Sequence, residues 1–173
     1  MNALAEFATT HFVVFKTIHV LAATLWAFST IGPMRFYVRP TLAAAERDPE
    51  NEELQRRRDW VLEQFDRTVM LEHVAFAAIL LTGPMLYITG AAMLDQTWFA
   101  IKIAVVVAIF IPLEIYDVWL SHIAAPKETS AKHDNPLRYA AFRRRYVAFL
   151  KGVTPLILLT VPAVLILALA KPF

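Results

Sequence analysis

The chain alternates between long apolar stretches and shorter polar ones, and this pattern occurs four times. Each apolar stretch reaches the length of about 20 residues that a helix needs to cross the hydrocarbon core of a bilayer. The stretches run from Phe12 to Tyr37, Val69 to Gly90, Trp98 to Leu120 and Tyr146 to Ala170. The pattern predicts an all-α integral membrane protein, an antiparallel four-helix bundle that forms a single domain over residues 1–173.

Prolines and charges bear on where these spans end. We expect the first span to be closed by Pro33, Arg35 and Arg39. Since no basic segment precedes it and no small-residue cleavage site follows it, the pattern favours a retained helix over a signal peptide. Inside the other spans we expect kinks rather than breaks at the prolines, since membrane helices tolerate them. These prolines are Pro84, Pro112, Pro155 and Pro162.

The polar connections carry most of the basic residues, and their distribution predicts an orientation. The first and third connections are rich in arginine and lysine, including Lys127 and Lys132, whereas residues 91–97 contain neither. By the positive-inside rule the first and third connections are cytoplasmic and both termini lie on the outer, periplasmic side. Interleaved acidic and basic residues from Glu46 to Glu63 predict a polar helix that extends span two, whereas residues 125–136 are expected to be irregular.

Composition supports a membrane protein and excludes several chemistries. The 173 residues are 58% hydrophobic, and the mean hydropathy of +0.49 is high for a soluble domain. Cysteine is absent, which excludes disulfides, iron–sulfur clusters, thiolate nucleophiles and c-type haem attachment. The net charge of +2 is explained by the basic connections, so no nucleic-acid partner is expected.

Ionisable residues inside the spans indicate function, because hydrocarbon penalises them by several kcal/mol unless a partner compensates. Helical spacing places Lys16, His19, Ala23, Trp26 and Thr30 on one face of span one. At about 1.5 Å per residue, His19 lies roughly 10 Å below the outer surface and Lys102 of span three roughly 6 Å below it. The two side chains are therefore expected at one outer cavity.

Two interpretations of this outer site remain open. In the first, His19 is an axial ligand of a haem, Lys102 is a second ligand or a cation for a propionate, Lys16 lies beside them, and Trp26 packs on the macrocycle. In the second, His19 makes an interhelical hydrogen bond to a backbone carbonyl, and Lys102 extends to the headgroups.

A second polar cluster is predicted on the inner side. His73 enters from that side near the expected depth of Glu114 and Asp117, which are one turn apart, and His122 ends span three. These four residues, together with His19, are the candidate metal ligands, and His73 with His122 is the one histidine pair that shares a leaflet. Salt bridges to Arg67 or to the run from Arg143 to Arg145, or a proton-carrying role of Glu114 or Asp117, would explain the carboxylates equally well.

Several segments resemble known families. The segment Phe15-Lys16-Thr17-Ile18-His19, with Trp26, Arg35 and Val38, resembles the first helix of the HemJ-type protoporphyrinogen oxidases, which read F-K-x-x-H, W and R-x-x-V. The segments that resemble its later helices are Trp98 to Lys102, Phe142-Arg143, and Pro155 to Leu159. The arrangement and the ending Ala170-Lys171-Pro172 are also similar to a group of uncharacterised small four-helix membrane proteins related to HemJ and to the CopD copper-resistance domain.

The resemblance implies a four-helix bundle that binds haem b, with His19 and Lys102 at the positions of the family's essential histidine and lysine. The chain differs from the family in three places. Leu71-Glu72-His73 replaces a Thr-Pro-Gly-like turn, Ala100 replaces a histidine, and the pair of Glu114 and Asp117 is not a family feature.

Three functions are thus considered. The first is a haem-binding oxidoreductase of a bacterial inner membrane that passes electrons to quinone or acts on a porphyrin. The second is a non-catalytic subunit or assembly factor that packs in a membrane complex or a homo-oligomer. The third is CopD-like copper handling, but methionines scattered along the chain are more typical of packing than of copper ligation.

Overall fold

A computed structural model of the chain describes residues 3–89, 96–124 and 135–170, apart from the side chains of Thr30 and Pro136. Every element in these ranges is helical, and four helices are long and apolar enough to span a membrane. The sequence prediction of four spans is thereby confirmed. These helices are Phe12–Arg47, Glu52–Thr89, Thr97–Ile123 and Leu137–Ala170.

The chain divides into two compact units, Met1–Leu94 and Asp95–Phe173. The first unit begins with α1 (Ala3–Thr10) and α2 (Phe12–Pro33). A wide π-helical turn (Met34–Val38) joins α2 to α3 (Arg39–Arg47), and α4 (Glu52–Thr89) follows. Trp26 and Phe76 meet at 5.5 Å between ring centroids, and His19 contacts Thr82, so α2 and α4 run antiparallel. Small residues along this seam, Ala22, Ala27 and Ala75, are buried and let the two helices approach closely.

The second unit contains span three and span four. Span three consists of α5 (Thr97–Val105), a π-helical turn (Val106–Phe110), α6 (Ile111–Val118) and a second π-helical turn (Trp119–Ile123). Span four is α7 (Pro136–Ala170). Tyr116 and Phe149 pack at 5.1 Å between ring centroids. Buried residues recur every three or four positions along span three, at Phe110, Glu114, Asp117 and Leu120, which is the spacing of one helix face.

The helix of span one does not stop at Pro33, Arg35 and Arg39 but continues to Arg47. The physical reason lies in the π-helical turn at Met34–Val38. A proline ring clashes with the carbonyl four residues earlier, which for Pro40 is the carbonyl of Phe36 inside this turn. The wider turn relieves that clash, and the turn at Val106–Phe110 stands in the same relation to Pro112.

The internal prolines of α4 and α7 break neither helix, as the sequence predicted. Each one follows a threonine by one or two residues: Thr82 and Pro84, Thr154 and Pro155, Thr160 and Pro162. All three threonine hydroxyls donate to the carbonyl oxygen four residues earlier. Such bonds satisfy the hydroxyl inside hydrocarbon and accommodate the local bend.

Span two also begins earlier than its apolar stretch, since α4 starts at Glu52 and confirms the predicted polar extension. Span four likewise begins at Pro136 rather than at Tyr146. Residues 90–95, 125–134 and 171–173 lie outside the described residues, and with them the predictions made for most of the second connection, for Lys127 and Lys132, and for the ending Lys171-Pro172.

The paired ends of α3 and α4 are expected to contribute most to stability outside the apolar spans. Leu62 is fully buried there, whereas Leu81 is 73% exposed in the apolar part of α4. Leu62→Ala should lower the free energy of unfolding by about 2–5 kcal/mol, because it leaves a cavity in a packed core. Unfolding in detergent, followed by circular dichroism, measures this change; Leu81→Ala is the matched control, and an equal loss in both variants would contradict the packing.

Candidate functional site

His19 on α2 is joined to Thr82 on α4 by a hydrogen bond. The imidazole Nδ1 lies 2.8 Å from the threonine Oγ1, which in turn lies 2.6 Å from the carbonyl oxygen of Ala78. Because a carbonyl oxygen can only accept, the Thr82 hydroxyl donates to Ala78 and accepts from His19. Nδ1 of His19 therefore carries a proton, and in the neutral imidazole Nε2 then has the lone pair with which histidine binds metals.

The surroundings of the imidazole are small and partly open. His19 and Ala23, one turn along α2, are both half-buried. A Cβ atom at Gly83 would lie 3.6 Å from Cε1 of His19, which is ordinary van der Waals contact. The glycine thus lets the backbone of α4 lie close to the imidazole ring.

The other predicted residues of this helix face have different environments. Lys16 is exposed, and its Nζ lies 5.9 Å from the centroid of the Phe12 ring. Trp26 is only 7% exposed and packs against Phe76, so its indole belongs to the seam between α2 and α4. It lies about 10 Å deeper than His19 along the helix. The side chain of Thr30 lies outside the described part of the chain.

Lys102 lies in the second unit, on α5, and is half-buried. Trp98 lies in the first turn of this helix, and its Nε1 donates to Oε1 of Gln96 at 2.7 Å. Trp98 and Phe99, on the turn before Lys102, are both buried. Within residues 96–124 and 135–170, the Lys102 ammonium forms no ion pair. A half-buried cation in an apolar helix is suited to an anionic group of a ligand or a lipid.

Glu72 and His73 lie on α4, where the sequence predicts the inner cluster. Glu72 is buried on the same face as Val69 and Phe76, and His73 is half-buried with a buried Nε2; both residues are engaged in further contacts. His73 is nine residues from Thr82, which corresponds to about 13 Å along the helix. His19, level with Thr82, therefore cannot share one iron with His73.

Span three carries the other residues of the predicted inner cluster, Glu114, Asp117 and His122. The two carboxylates are buried on one helix face, and Ser121 Oγ donates to Asp117 Oδ1 at 3.2 Å. His122 is exposed in the π-helical turn at Trp119–Ile123. Arg143 on α7 is also buried. Further contacts are made by Glu114, Asp117, His122 and Arg143. Other groups of the protein therefore stabilise these ionisable side chains.

No group of three or more His, Cys, Asp and Glu side chains that could hold a metal ion occurs within the described residues. The non-haem metal assigned to His73, Glu114, Asp117 and His122 stays a prediction. A haem needs fewer protein ligands, since the porphyrin supplies four nitrogen ligands and the protein one or two axial ones. His19 is the candidate ligand whose Nδ1 is bonded to Thr82 of the neighbouring helix.

Thr82 and Gly83 were not identified from the sequence as parts of the site. Their signal was present, because a threonine and a glycine stand side by side in an apolar span at the depth predicted for His19. A backbone carbonyl was the expected partner of His19, whereas the structure provides a hydroxyl that itself bonds to a carbonyl.

Comparison with known proteins gives no match: no family model, no curated protein and no solved structure is similar to this chain.

The bond between His19 and Thr82 should stabilise the pairing of α2 with α4. Thr82→Val keeps the shape of the side chain but removes the acceptor, and we expect it to lower the free energy of unfolding by about 0.6–1.7 kcal/mol, the range for hydrogen bonds between membrane helices. Thr82→Ser retains the hydroxyl and should stay closer to wild type. Unfolding in mixed detergent micelles compares the two variants, and equal stabilities would argue against this bond.

Proposed function

We propose that the protein is a membrane oxidoreductase that binds haem b, with Nε2 of His19 as an axial ligand. The hydrogen bond from His19 Nδ1 to Thr82 carries the proposal. Histidines that ligate metals almost always donate their other ring N–H to a polar group, which fixes the tautomer and makes the ligating nitrogen more basic. His19 has this arrangement, on a rigid pair of helices, in the outer half of span one.

A bound haem would supply one-electron chemistry, through its ferric and ferrous states. The residues of the chain then have separate tasks. Thr82, held by Ala78, orients the imidazole, while Gly83 brings the backbone of α4 close to the ring. The absence of cysteine fits a haem held by ligation and packing rather than by thioether bonds.

Charge and packing support the rest of the site. Lys102 and Lys16 are proposed as cations for the carboxylates of a haem or a porphyrin, because a half-buried or membrane-facing ammonium is stabilised by an anion. Trp26 packs on Phe76 between α2 and α4, about two helical turns from His19. Only the edge of the indole ring that α2 and α4 leave exposed is proposed to contact the macrocycle.

The cellular setting forms part of the same proposal. Two pairs of antiparallel helices would form one bundle in a bacterial inner membrane, with both termini on the periplasmic side, as the arginine-rich connections predict. Quinone in the bilayer, or a porphyrin substrate, is the proposed redox partner. A bundle of this kind places a haem between helices, where water is excluded and the redox potential can be tuned.

A second candidate is a non-catalytic subunit or assembly factor of a membrane complex. The observation that favours it is again the contact of His19 with Thr82, since an interhelical hydrogen bond is also a packing device. In that case the purified protein is colourless and migrates with partners or further copies at a mass well above 19.6 kDa.

The haem assignment predicts that His19→Ala removes the chromophore. Wild-type protein in mild detergent should give a b-type band in the reduced-minus-oxidised spectrum, with about one iron per chain by mass spectrometry. His11→Ala and His122→Ala are matched controls, because both histidines are exposed, and they should retain the band. A colourless wild type would favour the subunit function, and a band that persists in His19→Ala would exclude this ligand.

The role of Thr82 as a positioning residue predicts a change in redox potential. Thr82→Val removes the acceptor of the Nδ1 proton, so the imidazole donates less electron density and the ferric state is stabilised less. The midpoint potential should rise in Thr82→Val and remain near that of the wild type in Thr82→Ser, as measured by potentiometric titration of the haem band. Identical midpoint potentials in all three proteins would show that Thr82 does not influence the haem ligand.

A further inference from the structure

The exposed side of span four is basic along its first half. Residues 135–173 include six arginines and lysines and no aspartate or glutamate. The connection before α7, residues 125–134, has two lysines and two carboxylates, so it does not offset this charge. Four of the cations are exposed on α7, and they are Arg138, Arg144, Arg145 and Lys151.

These cations lie opposite the buried side of α7. At 3.6 residues per turn they occupy about 140° of the helix circumference. The buried residues on the other side are Arg143, Tyr146, Leu150, Ile157 and Val161. Span three packs against α7, but its carboxylates Glu114 and Asp117 are buried. Within the described residues, Arg138, Arg144 and Arg145 form no ion pair, so their charge is available to an anion from outside the chain.

Ala148 lies at the centre of three of the cations. Residues three and four positions apart are neighbours on the surface of a helix. Arg144 and Arg145 precede Ala148 by four and three positions, and Lys151, which also makes further contacts, follows it by three. Ala148 is exposed, and its methyl group is too short to fill the space between three long side chains. An anionic group above Ala148 would therefore be within reach of all three cations.

The length of span four places this cluster near the edge of the hydrocarbon. Residues 146–170 separate the arginines from Lys171 and form about 37 Å of helix, whereas the hydrocarbon core of a bilayer is about 30 Å thick. With span four across the bilayer, the core can shift by only about 7 Å along this stretch, and a tilted helix leaves less room. Arg144 and Arg145 therefore lie within about 10 Å of the hydrocarbon, beside the lipid headgroups.

We propose that the exposed face around Ala148 binds one anionic phospholipid, whose phosphate lies among Arg144, Arg145 and Lys151. Arginine binds phosphate through paired N–H donors, and lysine binds it as a point charge. An exposed apolar surface continues along α7, where Leu159 is 72% exposed, and it is suited to the acyl chains. A soluble acidic protein would match the cations but not this apolar surface. The lipid site is independent of the His19 site.

The experiment counts the lipids bound to the full-length protein by native mass spectrometry. Protein in a neutral detergent is titrated with phosphatidylglycerol or with phosphatidylcholine that has the same acyl chains. Wild type should bind one phosphatidylglycerol about tenfold more tightly than phosphatidylcholine. Arg144→Gln/Arg145→Gln should weaken the binding of phosphatidylglycerol about thirtyfold, the effect expected for two basic residues beside an anionic lipid.

A matched pair of variants at Ala148 tests the cluster without removing a cation. Ala148→Glu places a carboxylate among the three cations, where ion pairs within the helix preserve its fold, and should weaken the binding of phosphatidylglycerol about tenfold. Ala148→Gln has nearly the same size without the charge and should stay within about threefold of wild type. Circular dichroism compares the helix content of all variants.

The control is Arg56→Gln/Arg57→Gln, which removes two exposed arginines from α4 and should change the affinity by less than about twofold. The proposal fails if wild type binds the two lipids equally, if Arg144→Gln/Arg145→Gln or Ala148→Glu retains the wild-type affinity, or if the control weakens binding as much. It also fails, in favour of an acidic protein partner, if a soluble glutamate-rich peptide displaces phosphatidylglycerol from wild type at equal concentration.

Discussion

Hydrocarbon offers no hydrogen bonds, so each peptide group within a spanning segment must find its partner nearby. This constraint explains features that are unusual in soluble helices. Threonines precede the internal prolines of α4 and α7 and bond to carbonyls one turn back. The π-helical turns before Pro40 and Pro112 widen the helix where a proline ring would clash. The spans therefore remain continuous despite the prolines within them.

The same constraint applies to side chains and gives the polar residues of the spans their importance. Glu72, Glu114, Asp117 and Arg143 are buried, and each is engaged by other groups. Thr82 serves two purposes at once, because its hydroxyl donates within α4 and accepts from His19 on α2. One residue thereby satisfies the backbone, joins two helices and sets the tautomer of the histidine.

The four spans were predictable because their apolar stretches are long, and the polar extension of α4 was predictable from its interleaved charges. The continuation of the first helix to Arg47 was not, because Pro33, Arg35 and Arg39 are stop signals in soluble helices, and a π-helical turn removes that conflict only in three dimensions. That His19 lies in an apolar helix was also predictable. Its partner was not, since the rotation of α4 about its axis decides whether Thr82 faces α2, and one sequence does not encode that rotation locally.

The 38 residues of α4 connect two places that are far apart. Trp60 in the polar first part of α4 and Thr82 beside His19 are separated by 22 positions, about 33 Å, without a proline or glycine between them. One continuous helix thus connects this polar segment to the hydroxyl that holds His19. A change in the direction of α4 relative to α2 near Trp60 would therefore reach the side chain that orients the imidazole.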